Sequence, residues 1–297
     1  MNDKPIPYTQ RWIMAVRPKT LPAAVAPVLV GWAVAYTQRP INWMHAAALL
    51  AIAVLLQVGA NLVNDVVDFQ KGLDSSTRQG PTRVTQAGLL TPRQVWYGVA
   101  VVFIISACLG LYLAWSFGWP VILMGLLVFA GAVAYSTGPF PLAQKGLGDL
   151  AVMVFFGWMA VCGTVFVLSG TVPVPAWLCA TAVGALVTNI LVVNNLRDID
   201  VDKTAGRRTI PVTLGYRGGE TEYVIMLILA YLVPLVLWLA GWFNPWVLLP
   251  LLTLFEGLRL VKAIHAHPEG PQFNLLLAHS ARLVLIYSLL FSIGIIA

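Results

Sequence analysis

The sequence predicts an all-α polytopic membrane protein with about nine transmembrane helices, and three observations predict it. Of the 297 residues, 59% are hydrophobic and only 10% are charged, with a mean hydropathy of +0.82. Soluble globular chains do not have that composition, and it leaves little room for a separate soluble domain. Apolar runs close to the ~20 residues that a bilayer requires recur nine times. Nearly all the charge falls in alternate loops, as expected of a chain that weaves through a membrane. Residues 1–297 therefore read as a single transmembrane domain.

The elements follow in order. The first span, 20–37, contains Pro22 and Pro27 and must kink or start late. The second, 43–68, follows Gln38-Arg39-Pro40 and ends in carboxylates. Gly118-Trp119-Pro120 parts the third span, 93–115, from the fourth, 119–137. Gly138-Pro139 precedes the fifth, 147–169, and Val172-Pro173-Val174-Pro175 opens the sixth, 175–196. Asn244-Pro245 divides the seventh, 220–241, from the eighth, 244–262. The ninth, 279–297, carries His279 and Arg282 in its first turn. Gly131, Gly157, Gly163 and Gly184 lie within spans and are expected to allow close helix contact. Cys108, Cys162 and Cys179 fall in apolar runs without metal or disulfide spacing and read as packing residues. His45, His265, His267 and His279 sit in or beside loops without partner spacing and read as non-catalytic.

Charge sets the expected orientation. The N-terminal tail and the 2–3, 4–5, 6–7 and 8–9 connections hold 17 of the 18 Lys and Arg; only Arg39 lies on the other side. That places the N-terminus in the cytoplasm and the C-terminus outside, in a cell (inner) membrane. The first 20 residues carry Lys4, Arg11, Arg17 and Lys19 and no long apolar core, so a cleaved signal peptide is not expected. The net charge of +6 is spread over short loops, which argues against a nucleic-acid partner. All twelve Asp and Glu share the basic side, an acidic bias that the positive-inside rule does not predict. A charged site on that face would account for it.

Two stretches supply such a site. Asn61 to Asp74, N-L-V-N-D-V-V-D-F-Q-K-G-L-D, closes the second span, and Asn194 to Asp202, N-N-L-R-D-I-D-V-D, closes the sixth. Residues four apart share a helix face, so Asn64 aligns with Asp68, Asn61 with Asp65, and Asp198 with Asp202. Carboxylates at the end of an apolar helix need a cationic partner. Mg²⁺ takes one or two carboxylates and keeps room for phosphate oxygens. The candidate ligands are Asn64, Asp68, Asp198 and Asp202, with Asp65 joining or orienting them. Asn61 and Asp65 correspond to Asn194 and Asp198, 133 residues on. An internal duplication with the site between its halves is expected.

These residues resemble the intramembrane aromatic prenyltransferase superfamily. Its N-D-x-x-D motif is matched by Asn64, Asp65 and Asp68, and its D-x-x-x-D motif by Asp198 and Asp202. Where many members have a further Asp, this chain has Gly72, with Asp74 beyond it. The K-G-x-D ending, R-P-K-T-L-P at 17–22, Y-S-T-G-P-F-P at 135–141 and G-L-G-D at 146–149 resemble the menaquinone branch, the 1,4-dihydroxy-2-naphthoate polyprenyltransferases. The resemblance implies a ring of nine helices around a central cavity. It implies transfer of a polyprenyl group from polyprenyl diphosphate to 1,4-dihydroxy-2-naphthoate, with loss of CO₂ and diphosphate, giving demethylmenaquinone.

On that reading Asp65, Asp68, Asp198 and Asp202 are catalytic, and the cofactor is Mg²⁺. Lys71, Arg78, Arg83, Lys203 and Arg207 supply charge-assisted hydrogen bonds to the diphosphate. Arg17, Tyr135 and Asp149 serve the acceptor. The partners are the two substrates and the lipid bilayer. Another aromatic acceptor such as 4-hydroxybenzoate is the alternative within the family. A secondary transporter would also carry repeats and intramembrane charge, but here the acids cluster at helix ends beside basic loops. The D-G-x-x-A-R motif of CDP-alcohol phosphotransferases is absent. A reporter fused after Ala297 should read as external and one in the 6–7 loop as cytoplasmic; the reverse pattern would overturn the orientation.

Overall fold

The computed structural model describes residues 6–70, 72, 83–136 and 141–297; Lys71, Asp74 and Arg78 fall outside the described residues. Every element among them is helical. A short amphipathic helix, α1 (Tyr8–Val16), lies ahead of the first span. Its Arg11 donates to the carbonyls of Ile6 (2.9 Å) and Leu89 (3.2 Å), and its Trp12 packs on α3 (Trp43–Gln70) and α4 (Pro92–Phe117). A 3₁₀ turn, Pro18–Thr20, then leads into α2 (Pro22–Tyr36) through a bend of 53°. The break falls at Pro22, in the first turn, where no helical N–H is required. Pro27 stays within the helix.

The remaining elements follow the expected order. Thr91 and Gln94 start α4 with a reciprocal capping box. Next come α5 (Trp119–Ser136), α6 (Gly148–Ser169), α7 (Val174–Arg197), the short α8 (Ile199–Thr204) and α9 (Ile210–Leu214), and α10 (Tyr216–Leu239). A 3₁₀ stretch, Pro245–Thr253, runs into α11 (Leu254–His265), and α12 (Pro271–Ile296) closes the chain.

Six of these helices are long and apolar enough to cross a bilayer, and the bent pair 8–20 and 22–36 makes a seventh. The other two expected spans differ in form. The apolar part of α5 is shorter, Trp119–Ala132. The eighth begins as 3₁₀ helix, where Pro245 and Pro250 remove backbone donors. The ninth starts eight residues before its expected start, at Pro271, because Gly270 and Pro271 end the preceding loop. His279 and Arg282 therefore lie inside a helix, not at its mouth.

Consecutive segments pack on one another from α2 round to α12, and α12 returns onto α2. The main apolar core joins α2, α6, α7, α10, α11 and α12. A separate cluster joins α1, α3, α4 and the 84–90 turn. Between α3 and α7 lie α2 and α6, each of which touches both. Large apolar side chains on the outside, among them Trp115, Phe255 and Leu239, are exposed as a lipid-facing wall requires. On the far face Arg39 donates to Leu168 O at 3.0 Å and Thr171 to Gln38 at 2.9 Å, so the 1–2 and 5–6 connections meet there.

Glycines set the closest helix crossing. A methyl group at Gly157 would lie 2.8 Å from Ala180 O and 2.9 Å from the Gly184 Cα. Both obstacles are backbone, so α6 and α7 would have to separate. Gly157 also sits in a π-helical stretch, Met153–Met159. Gly131 is filled by the Phe155 ring and Gly163 by Met124. All four expected contact glycines are thus used. Gly157→Ala should lower stability by about 1–3 kcal/mol through overpacking. Gly125→Ala, where the added group meets nothing within 4 Å, should be neutral or stabilising. Melting of the two variants in one detergent checks this; equal midpoints would refute it.

Candidate active site

The polar end of α3 is built as a ladder. Asn61 Nδ2 donates to Val16 O and Thr20 Oγ1, both at 2.8 Å, which pins the 3₁₀ turn against α3. Gln57 reaches Thr20 Oγ1 and Asn61 Oδ1 at 3.5 Å. One turn further, Asp65 is 1% exposed. It accepts from Val84 N (3.1 Å), Thr85 N (3.0 Å) and the Thr85 hydroxyl, so it holds the turn that follows α3. Arg17 Nη2 lies 3.6 Å from the same carboxylate. Arg17 reaches it from a left-handed backbone, φ 55°, between α1 and the 3₁₀ turn. Asp68 forms an ion pair with Arg83, whose guanidinium also donates to Asn64 O.

The end of α7 repeats the theme with different residues. Asp198 is the C-cap, where φ −98° and ψ 13° break the helix. Arg197 grips it through two bonds, Nε to Oδ1 at 2.8 Å and Nη2 to Oδ2 at 2.7 Å, and donates to Asn274 Oδ1 of α12 at 3.1 Å. The backbone of Asp202 still bonds Asp198 O at 2.8 Å, so the two remain one turn apart despite the break. Asp202 is 3% exposed and accepts from Arg207 Nη1 at 3.0 Å. Burial pushes its carboxyl above the ordinary value, and the Arg207 guanidinium pulls it back. Asp200 and Lys203 are exposed.

Tyr135 and Asp149 belong with the second cluster. Arg208 N donates to Gln144 O at 3.0 Å, joining the loop after Asp202 to the 141–147 connection. At the start of α6 the Tyr135 hydroxyl lies against Gly148, and Asn195 Nδ2 reaches Asp149 Oδ1 at 3.5 Å. The three expected acceptor residues are thus divided, Arg17 beside Asp65, and Tyr135 and Asp149 at the start of α6 with Asn195 of α7. Of the aromatic side chains at this depth, Phe155 fills Gly131 and Trp158 donates to Thr181 at 3.0 Å, both packing roles.

Exposure sorts the four aspartates into two kinds. The side chains of Asp68 and Asp198 are each 23% exposed, whereas Asp65 and Asp202 are closed off. The expected repeat paired Asp65 with Asp198, but the buried, loop-holding carboxylates are Asp65 and Asp202. Sequence reasoning missed Arg197, Thr85 and Asn195. Arg197 sits next to Asp198 in the motif, yet only the fold shows it buried and bidentate. The histidines also have partners: His265 and His267 lie 3.2 and 3.9 Å from Glu220, and His279 lies 2.9 Å from Glu256. Among the described residues no three His, Cys, Asp or Glu converge closely enough to hold a metal on their own. A metal at this face would need other oxygens, such as those of a phosphate, to complete its shell.

Comparison with known proteins fits this geometry. The model of the UbiA prenyltransferase family matches residues 24–272. The chain is 34% identical to a 1,4-dihydroxy-2-naphthoate octaprenyltransferase of Escherichia coli, over 99% of this chain and 98% of that one. It is 35% identical to the protein of the same name from Mycobacterium tuberculosis, over 94% of each. Among solved structures, a UbiA homolog from Archaeoglobus fulgidus superposes with a TM-score of 0.68 at 16% identity, over 96% of this chain and 99% of that one. The same homolog bound to GPP and Mg²⁺ gives 0.66 at 17% identity, over 96% and 99%. With its sequence matched nearly end to end and its fold shared, the chain belongs to the UbiA prenyltransferase family.

Proposed function

We propose that this protein transfers a polyprenyl group from polyprenyl diphosphate to 1,4-dihydroxy-2-naphthoate, with loss of CO₂ and diphosphate, to give demethylmenaquinone. The observation that carries the reading is the set of carboxylate–guanidinium pairs at one end of the helices, beside Tyr135 and Asp149. Such a set can receive both the anionic diphosphate and the cations that accompany it. The acceptor is inferred from the relatives of that name, which match nearly the whole chain. The distribution of Lys and Arg supports an active face and N-terminus on the cytoplasmic side, and the reading takes the membrane to be a cell inner membrane.

Mg²⁺ suits the donors present. Asp68 and Asp198 are partly exposed hard oxygen ligands, and the Asn64 amide would complete a set that leaves phosphate oxygens their places. Bound there, it would act as a Lewis acid on the leaving diphosphate. Asp65 and Asp202 are buried against protein donors and act as positioning residues, holding the turns that carry Arg83 and Arg207. Arg83 and Arg207, with Arg197 and Lys203, would offer N–H donors to the phosphate oxygens. Lys71 and Arg78 remain candidates from the sequence. Arg17 offers a guanidinium fork to the acceptor carboxylate. Asp149 and Tyr135 are assigned to receive or share the proton of an acceptor hydroxyl, a role supported by their meeting at the start of α6.

Mass spectrometry of the product tests the assignment. Incubation with 1,4-dihydroxy-2-naphthoate and one polyprenyl diphosphate should give a prenylated product that has lost CO₂. Faster turnover of 4-hydroxybenzoate, with its carboxylate kept, would overturn the acceptor. Asp68→Asn and Asp198→Asn should lower turnover by at least ~10²-fold, the scale of a lost transition-state contact, with partial rescue at high Mg²⁺. Asp200→Asn, exposed and outside these pairs, should stay within about tenfold, as a residue away from the ligands does. Comparable inactivity of Asp200→Asn would show that the metal-facing set is misassigned. Arg17→Ala should raise the KM for the acceptor far more than that for the donor; equal effects would remove Arg17 from the acceptor site.

A further inference from the structure

A cluster of charged side chains stands on the outer wall between α11 and α12. Its hub is Glu256. From α12, His279 Nδ1 lies 2.9 Å and Arg282 Nη2 3.1 Å from Glu256 Oε1, and from α11, Arg259 Nη1 lies 3.8 Å from Oε2. One carboxylate therefore answers two guanidiniums, and the cluster keeps an excess positive charge even with the imidazole neutral. Both guanidiniums face outward, with side chains 66% (Arg259) and 56% (Arg282) exposed. Their exposed neighbours are apolar: Phe255 and Leu258 on α11, and Leu275, Ile286 and Leu289 on α12. Arg282 falls on the same helical stripe as those three α12 residues, so it faces what they face, the lipid.

Depth makes this unusual. Arg282 lies about 21 Å from the far end of α12 at 1.5 Å per residue. That is inside the ~30 Å of hydrocarbon such a helix crosses. N–H groups at that height that are not used by Glu256 need an oxygen acceptor, because hydrocarbon offers none. A long arginine side chain reaches toward its nearer membrane surface. That surface is the one carrying the aspartate clusters, since Tyr216, just beyond the Asp202 loop, donates to Ile264 O at 2.9 Å.

We infer that the notch between α11 and α12 binds the phosphate of an anionic phospholipid, with Arg259 and Arg282 as its donors. The guanidinium fork matches two phosphate oxygens at once. The lipid's acyl chains would lie along Phe255, Leu258 and Ile286. A zwitterionic lipid brings its own ammonium group, which the excess positive charge repels, so the site prefers lipids of net negative charge.

The experiment is a lipid titration of the full chain in detergent, read by native mass spectrometry, with phosphatidylglycerol and phosphatidylcholine as probes. The parent should bind phosphatidylglycerol about tenfold or more tightly than phosphatidylcholine, as two arginines at a lipid surface warrant. R259Q/R282Q should bring that ratio close to one, and R259K/R282K should keep part of it. An unchanged ratio in R259Q/R282Q overturns the site. Displacement of phosphatidylglycerol by an equal concentration of inorganic phosphate would show a free-anion site instead, and also overturns it. So does a dimer in the parent that R259Q/R282Q dissolves while the lipid ratio stays constant, which would make the notch a subunit contact. Should the double variant fail to fold, R282Q alone must lower the ratio at least about threefold, or the proposal fails.

Discussion

Carboxylates at the edge of a bilayer cannot stand unpaired, and the candidate site is arranged around that constraint. Each of the four aspartates has an arginine: Arg17 beside Asp65, Arg83 on Asp68, Arg197 on Asp198 and Arg207 on Asp202. Removing one member of such a pair leaves the other charge buried without compensation, which is the costly direction. The pairing therefore does more than neutralise. It fixes the turn at 83–90, the start of the 3₁₀ turn and the loop after α8, because Arg83, Arg17 and Arg207 reach their aspartates from those segments, whereas Arg197 adjoins Asp198 in the chain. The carboxylates of Asp68 and Asp198 are the more exposed two, and the 83–90 turn keeps its bonds from Val84 and Thr85 to Asp65 whatever Asp68 does.

Packing supplies the frame on which those pairs sit. The close crossing of α6 and α7 at Gly157 and Gly184 sets the height of Asp149 relative to Asn195. The ladder of Gln57, Asn61 and Thr20 sets the position of Arg17 relative to Asp65. In both places small or amide side chains, common in membrane interiors, hold charged ones in register.

Much of this was legible in the sequence, because bilayer thickness and turn residues dictate where apolar runs begin and end. The Asp-rich helix ends were legible for the same reason: acids there stand out against an apolar background. Three things were hidden. The roles within N-D-x-x-D were hidden, since only the fold reveals that Asp65 turns inward to Thr85 while Asp68 stays half open. The start of α12 was hidden, because the hydropathy dip at His279 and Arg282 mimics a loop when their partner, Glu256, lies on another helix. The form of the eighth span was hidden, since Pro245 and Pro250 are compatible with an apolar run but not with α-helical bonding throughout. In the first two cases the deciding contact joins different segments of the chain, and local pattern carries no record of it.

The division of apolar cores has a mechanical meaning. Asp68 rides on the cluster of α1, α3 and α4, and Asp198 on the main core of α2, α6, α7 and α10 to α12. Few contacts join α3 to α7 directly, although smaller apolar clusters tie α3 to α2 and α6 toward the far face. A diphosphate and its cations spanning Asp68 and Asp198 would act as a cross-link between the two cores at the polar end. The ligand itself would then be part of the scaffold, tying the two cores where the protein's own packing is thinnest.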